Sequence, residues 1–256
     1  MSPSPSTSQA ALVRWRRFKK PLQTNQEMRP ARGLVSVIVP CYNEADTITT
    51  AIEQILALGD RLNLEIIVVD DGSTDGSFEK LKGLAGIRVD RHEVNRGKGA
   101  AILSGAALAT GEVLVIQDAD LEYSAGTIPT LVEPIFGGQY NIVYGSRFMG
   151  DIEGMTFSHF VGNKILSYFT SLFCGARITD MMTCQKAFRA SAFRALHLES
   201  SRFEFELEVT VEALRKGYSI HEIPIPYSKR KFGEAKIGWV DGVKTMLKLI
   251  QLRFGL

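Results

Sequence analysis

The side chains most able to do chemistry lie in short segments, most of them just after an apolar run. The sharpest is Asp118-Ala119-Asp120-Leu121-Glu122, which follows a strand-like run, Val113–Gln117. On an extended backbone residues i and i+2 point the same way, so Asp118 and Asp120 would share a side. Two carboxylates held that close repel, and one stays partly protonated unless a cation neutralises them. Hard oxygen donors favour Mg²⁺ or Mn²⁺, and such ions usually complete their coordination with substrate phosphates. An acidic turn capping a helix is the alternative for this segment taken alone.

Four further segments repeat the placement. Pro40-Cys41-Tyr42-Asn43-Glu44 puts a stacking or hydrogen-bonding ring and a carboxylate into a loop. Glu44 could accept from a sugar hydroxyl or a base N–H, or cap a helix. Asp70-Asp71-Gly72-Ser73-Thr74-Asp75 ends a run in two carboxylates that cannot both enter a core; one could bind the turn and the other a ribose or base edge. Asn95-Arg96-Gly97-Lys98-Gly99 places a lysine between glycines at a helix start, where it could meet a phosphate. It is not a P-loop, because His92 stands at the first glycine position and Gly99 follows the lysine. Nor is it the dinucleotide fingerprint, whose third glycine would fall at Ile102; a dehydrogenase is disfavoured. Tyr144-Gly145-Ser146-Arg147 offers a guanidinium that could clamp an anion or form a surface ion pair.

These segments need a scaffold that gathers strand ends. Leu34–Val39 is a continuous apolar run ending at Pro40, and Leu64–Val69, Ile87–Asp90, Val113–Gln117 and Asn141–Tyr144 read as further strands. Helical spacing marks 44–58, 78–84, 99–109 and 128–136. Apolar strands alternating with helices predict an α/β fold, with a mostly parallel sheet covered on both faces. In such sheets ligands bind beyond the carboxyl ends of the strands, where Glu44, Asp71, Asp118, Asp120 and Arg147 all fall. After about residue 147 the rhythm changes. Thr156–Gly175 is apolar-aromatic and could lie against a membrane or form a core helix pair. Lys186–Phe188 and Ser219–Pro224 read as strands, Phe205–Lys216 and Trp239–Phe254 as helices, and 229–236 as a basic loop. Residues 1–33 read as a separate basic tail and 34–256 as one domain, in which 34–147 is expected to be a nucleotide-type half and 148–256 the half that customises it.

Composition sets the outer limits. The chain has 256 residues, 45% hydrophobic and 23% charged, enough apolar mass for a full core and unlike a disordered or fibrous chain. The net charge of +2 is uneven. Residues 1–33 carry seven Lys or Arg against Glu27 alone, so the remainder is mildly acidic. Within the tail, residues 11–21 could form a short interfacial helix or stay solvated. Three scattered cysteines argue against a zinc site or a disulfide framework. No stretch reaches the roughly 18 uncharged apolar residues of a membrane-spanning helix, and no signal-peptide pattern precedes the body.

As a set these segments resemble glycosyltransferase family 2. Ser36-Val37-Ile38-Val39-Pro40-Cys41-Tyr42-Asn43-Glu44, Val68-Val69-Asp70-Asp71-Gly72-Ser73-Thr74-Asp75, Asn95-Arg96-Gly97-Lys98-Gly99, Asp118-Ala119-Asp120-Leu121 and Gly145-Ser146-Arg147 carry the resemblance, in order. The subgroup most resembled is the polyprenyl- or dolichyl-phosphate mannose or glucose synthases. The resemblance implies a GT-A fold and an inverting, metal-dependent hexose transfer from a nucleotide-sugar. By motif, Pro40, Tyr42, Glu44 and Asp71 would line the nucleoside pocket, with Lys98, Ala119 and Arg230 also on the donor. Asp118 and Asp120, with Glu122, would hold Mg²⁺ or Mn²⁺. Arg147 and Lys231 would meet an acceptor phosphate. Thr179-Asp180-Met181-Met182-Thr183-Cys184-Gln185-Lys186 and the basic loop fit the later family segments, although Ala235 stands where the family usually has Ser. Lys236 would help neutralise the leaving diphosphate.

The implied partners are a nucleotide-sugar donor, a polyprenyl-phosphate acceptor, a membrane surface and a membrane-anchoring partner protein, with no nucleic acid. The expected place is the cytoplasm, peripheral at a membrane's cytoplasmic face. A lipid phosphate is already anionic and needs no strong base; a sugar hydroxyl would, and Asp180 is then the candidate. Two rivals remain: a family 2 transferase acting on a sugar acceptor in polysaccharide or glycoconjugate synthesis, and a non-catalytic nucleotide-sugar-binding protein.

Overall fold

Strand β1 (Leu34–Cys41) shows why the sheet is buried on both sides. Val35, Val37 and Val39 face one apolar cluster and Ile38 faces the other, while the buried Ser36 between Val35 and Val37 bonds Glu65, so a largely apolar run feeds two layers. The computed structural model describes residues 33–230 and 239–254. The basic tail, Lys231 and Lys236 lie outside the described residues.

The first half alternates as the patterning predicts: α1 (Ile48–Leu56), β2 (Asn63–Asp70), α2 (Ser77–Lys82), β3 (Arg88–Arg91), α3 (Lys98–Leu108), β4 (Val113–Ile116), α4 (Ile128–Phe136) and β5 (Ile142–Ser146). The second half holds β6 (Ile152–Glu153), α5 (Phe157–Cys174), β7 (Lys186–Arg189), α6 (Ala190–Arg194), α7 (Phe205–Arg215), β8 (Ile220–Pro224), β9 (Tyr227–Ser228) and α8 (Trp239–Phe254). Seven strands form the main sheet in the order β3-β2-β1-β4-β7-β5-β8, and β6 pairs with β9 separately. Every neighbour in the main sheet is parallel except β7, which runs antiparallel between β4 and β5. Helices α1 and α4 cover one face through Ile48, Ile52, Ile55, Leu131 and Ile135. Helices α3, α6 and α7 cover the other through Ile102, Phe193, Phe205 and Val209. Fully burying a side chain of this kind contributes roughly 1.5–3 kcal/mol.

Some boundaries move for local reasons. β1 continues through Pro40 to Cys41, because its ladder with β4 ends at Ile38 and only β2 still pairs beside the proline. The helix expected from Glu44 begins at Ile48, since the Glu44 carbonyl is taken by the amides of Thr47 and Ile48 in a preceding turn. Thr156–Gly175 is a single helix, α5, not a pair. Thr156 Oγ1 accepts from the His159 amide at its start, and Gly175 at φ 64° ends it. Its inner side, with Leu166 and Thr170, packs on Met181, Leu207 and Leu249 in a third cluster.

Helix α3 lies close on the sheet because Gly105 has no side chain. A Cβ there would stand 2.6 Å from Ile38 Cγ2 and 3.3 Å from Val69 Cγ2. Gly105→Ala is therefore expected to destabilise the protein by about 1–3 kcal/mol through overpacking, against alanine's better helix propensity. Urea unfolding checks this, and a more stable variant would contradict the packing argument.

Candidate active site

The loops after β1 and β2 are zipped together. Asn43 N donates to Ser73 Oγ (3.0 Å), Glu44 N to Ser77 Oγ (2.8 Å), Ala45 N to Asp75 Oδ2 (2.9 Å) and Thr74 N to Asn43 Oδ1 (2.9 Å). Asn43 adopts φ 49°, a conformation asparagine tolerates better than most residues. Pro40 and Tyr42 are half-buried on this rim. Glu44 is carried by the same loop and points at Arg230, with Oε1 3.2 Å from Nη1.

Asp71 is buried and serves the next loop. Its Oδ1 lies 2.6 Å from His92 Nδ1 and accepts from Arg96 N (2.9 Å), and Oδ2 accepts from Gly97 N (2.7 Å). Asp70 meets Arg91 Nε at 3.2 Å, while its buried Oδ1 has no partner among the described residues. Asp71 thus orients the 95–97 loop and the start of α3, and with them Lys98. Gly97, at φ 100°, and Gly99 let this turn pass against the main chain of Ser200 and Ser201, where a Cβ would collide.

The acidic motif does not sit on extended backbone. β4 ends at Ile116, Asp120 Oδ1 accepts from the Glu122 amide at 3.0 Å, and Leu121 takes φ 63°. The two carboxylates are gathered by this turn, and each is held by its own cation. Lys98 Nζ contacts Asp118 at 2.7 and 2.9 Å. Arg230 Nη2 contacts Asp120 at 2.6 Å, with its Nε 3.9 Å from Glu122. The Ala119 side chain belongs to the core.

The electrostatics follow from this pairing. Burial pushes the Asp118 carboxyl up, but Lys98 and a hydrogen bond from Cys184 outweigh it and hold the group below its ordinary value. Asp120 goes the other way, raised by burial and by Asp118 despite Arg230. Burial also works against the Lys98 charge, but Asp118, Cys184 and Glu206 keep its ammonium well above the usual range. The donor set suits a hard divalent cation: carboxylates in one turn, partly buried, that need organic cations beside them to stay ionised. Among the described residues no three acidic, histidine or cysteine side chains already form a cage.

Arg147, at the end of β5, is buried and locked to Asp180. Its main-chain N and its Nε donate to Oδ2 at 3.0 and 2.7 Å, and Nη2 donates to Oδ1 at 2.7 Å. Asp180 is held in turn by the loop around it, since the amides of Thr179 and Asp180 both donate to Glu222. The Arg147 guanidinium lies 5.8 Å from the Tyr227 ring centre and 5.6 Å from that of Phe148. Tyr227 also hydrogen-bonds Glu122; burial and that carboxylate push its phenol up to about 12.

The structure therefore gathers Glu44, Asp120, Glu122 and Arg230 at one point, Lys98 with Asp118 at a second, and Arg147 with Asp180 at a third. Asp71 stands behind the lysine loop. Tyr227, Glu206 and Lys186 are close to these groups and were not singled out from the sequence. Glu206 belongs to a helix whose local pattern reads as core, so nothing local could have flagged it, whereas Lys186 ends the Thr179–Lys186 segment that fits the family pattern.

Glu122 is pushed up to about 7 by burial and by Asp120 and Asp118, against Arg230 and Arg147. The folded protein holds this proton to higher pH than the unfolded chain does, where the carboxyl keeps its ordinary value of 4.5. Its contribution to stability is full below pH 4.5 and is lost as the pH rises through about 7. Without added metal, Glu122→Gln should flatten the fall in stability between about pH 5 and 8, by about 1–2 kcal/mol. Thermal melts of both proteins across that range check it, and parallel profiles would refute it.

Residues 36–196 match the glycosyl transferase family 2 domain. Dolichol-phosphate mannosyltransferase of Pyrococcus furiosus is 31% identical over 210 residues, covering 79% of this chain and 59% of that one. UDP-N-acetylglucosamine–dolichyl-phosphate N-acetylglucosaminyltransferase of Methanococcus voltae is 28% identical over 249 residues, covering 88% and 98%. Among solved structures, glucosyl-3-phosphoglycerate synthase of Mycobacterium tuberculosis superposes with a TM-score of 0.72 at 21% identity, over 88% of this chain and 81% of that one. The same synthase has been crystallised with Mn²⁺ and UDP, and that complex superposes at 0.67. The fold is thus that of the GT-A glycosyltransferases, and the chain belongs to glycosyltransferase family 2.

Proposed function

We propose that the protein moves a hexose from GDP-mannose or UDP-glucose to a polyprenyl or dolichyl phosphate at a membrane surface, with inversion at the anomeric carbon. The observation that carries this reading is the Arg147–Asp180 pair. Asp180 directs both oxygens at Arg147, so it serves better to hold the guanidinium than to take a proton from a hydroxyl. Arg147 keeps Nη1 without a hydrogen bond among the described residues, a donor suited to an acceptor that arrives as an anion. A phosphate monoester is ionised at neutral pH and attacks without a base.

The donor's nucleoside would lie along the β1 and β2 loops near Pro40, Tyr42, Glu44 and Asp71. Asp118, Asp120 and Glu122 would hold Mg²⁺ or Mn²⁺, which when bound supplies charge neutralisation for the leaving diphosphate. Lys98 and Arg230 already place two cations beside these carboxylates. On this reading Arg230 releases Asp120 as the donor binds and turns to the diphosphate oxygens, joined by Lys236, while Lys231 meets the acceptor phosphate. The relatives' names support the acceptor class, since both the Pyrococcus and Methanococcus enzymes are named for dolichol or dolichyl phosphate.

The place of the reaction is supported by the outer face of α5. Phe157, Phe160, Ile165, Tyr168 and Leu172 recur at helical spacing and are exposed, Phe157 at 82% and Tyr168 at 64%. Lys164 lies within the same stripe, 4.1 Å from the Phe148 ring centre, and Phe148 follows Arg147 directly. An apolar stripe carrying a cation suits the headgroup boundary of an anionic bilayer. It would bring a lipid phosphate to Arg147. No helix among the described residues is long and apolar enough to cross a membrane.

Radiolabelled nucleotide-sugars offered with polyprenyl phosphate and Mn²⁺ test the reaction. A lipid-linked hexose is expected, lowered at least about a thousandfold in Asp118→Asn. Transfer to a free sugar instead would overturn the acceptor, and wild-type turnover in the variant would overturn the site. The surface has its own test. Tyr168→Asp/Leu172→Asp should lose about tenfold or more of its binding to anionic vesicles with an unchanged melting temperature; retained binding would remove α5 from the membrane.

A further inference from the structure

Behind the Asp118 carboxylate runs a line of buried charges whose deeper members, Glu206 and Lys186, have no part in the transfer reaction proposed above. Lys98 Nζ contacts Asp118 in front and stands 3.5 Å from Glu206 Oε1 behind. Glu206 is buried at the first turn of α7, and its other oxygen pairs with Lys186 Nζ. Lys186, on β7, is completely buried; it also donates to the carbonyls of Met181 (3.1 Å) and Thr183 (2.5 Å) and lies 4.8 Å from the Tyr144 ring centre. The signs alternate along the line, plus on Lys186, minus on Glu206, plus on Lys98, minus on Asp118. Such a set sums to zero, as a group kept from water must nearly do.

One atom breaks the pattern. Glu206 Oε1 is buried and has no hydrogen-bond partner among the described residues. A carboxylate oxygen left in that state is costly, by about 1–3 kcal/mol or more for a charged group. The nearby ammonium has three N–H donors, and two short contacts go to Asp118. The third acceptor is present, aimed at the lysine, and just beyond hydrogen-bond range.

We infer that Glu206 is a positioning residue that receives Lys98 when a divalent cation takes Asp118. This rests on the metal reading given above. The Lys98 ammonium turns from Asp118 to Glu206 Oε1, so the aspartate is freed without leaving a buried ammonium unpaired. Lys186 holds Glu206 in place for that exchange. The competition between lysine and metal for one carboxylate is thereby reduced, because the displaced cation has a second anion within about 1 Å of reach. With glutamine at 206 the lysine meets only a neutral acceptor and stays on Asp118.

Mn²⁺ binding tests this without turnover. Free Mn²⁺ is titrated by electron paramagnetic resonance against the full chain, alone and with a nucleoside diphosphate. Glu206→Gln is expected to raise the Mn²⁺ Kd about tenfold. Lys98→Met removes the competing cation, and in that background the same change should move Kd less than threefold. A merely structural glutamate would lower the melting temperature of Glu206→Gln and leave Kd within twofold of wild type, which overturns the inference. An equal tenfold loss in the Lys98→Met background also overturns it, since Glu206 would then act without the lysine. If Glu206→Gln does not fold, Lys186→Met/Glu206→Gln removes the deeper pair as a unit, and the same Kd criteria decide. Wild type that binds no Mn²⁺ even with nucleoside diphosphate sinks the metal reading and this inference together, whereas binding by wild type with an unmoved Glu206→Gln sinks this inference alone.

Discussion

Negative charge held out of water just past β4 is the constraint on which the site depends. Two unit charges about 4 Å apart near a protein surface repel by about 4 kcal/mol at an effective dielectric of 20, and burial adds a desolvation cost for each. Lys98 and Arg230, each reaching its own aspartate at 2.6 to 2.9 Å, offset this cost, fully enough to lower Asp118 but not to keep Asp120 from being raised. The two cations are not equivalent. Lys98 stands on the first residue of a helix packed on the sheet, whereas Arg230 lies just past a two-stranded ribbon at the mouth of the site. One cation is therefore part of the frame, and the other is the one that the proposed function turns to the diphosphate.

The frame itself is assembled from segments distant in sequence. Asp71 collects His92 and the amides of Arg96 and Gly97, which aims α3 and its first lysine. Gly97 and Gly99 let the chain at Ser200 and Ser201 lie against that turn, and the Ser201 carbonyl accepts from Ala100 N at 2.9 Å. Glu208 caps the amides of Glu199 and Ser200 from α7, two residues from Glu206. A single helix start is thus fixed by one strand end, one loop and one helix from the far half of the chain. Few of its atoms are free to relax when a carboxylate changes partner, which is why a second acceptor for Lys98 matters.

The opposite edge of the site has a different character. Arg147 is fixed by Asp180 and Glu222 on the inside and by aromatic rings beside it. Beyond Phe148 the surface becomes apolar along α5, with further exposed side chains on α8 at Leu247 and Ile250. A soluble monomer tolerates scattered apolar residues; an aligned stripe beside a buried guanidinium is what the proposed function reads as a surface for something apolar at one end and charged at the other. An acceptor with a phosphate head and a hydrocarbon tail has that shape.

Much of the architecture was legible from local pattern. Apolar runs such as Val37–Val39 and Ile66–Val69, of strand length and bounded by turn residues, read as strands buried on both faces, and the spacing of Ile48, Ile52 and Ile55 as the inner stripe of a helix. The acidic motif, the Gly97-Lys98-Gly99 turn and Arg147 were likewise visible, because a polar cluster ending an apolar run has no core to enter. What the chain alone could not show is who neutralises whom. Arg230 meets Asp120 across 110 residues, Lys98 meets Asp118 across 20, and Lys186 meets Glu206 across 20 from a strand that inserts antiparallel between β4 and β5. Residue type and periodicity report only on neighbours within a few positions. The sheet order sets which distant charges share a low-dielectric pocket, so the motif was written locally and its protonation and partners were decided by the tertiary fold.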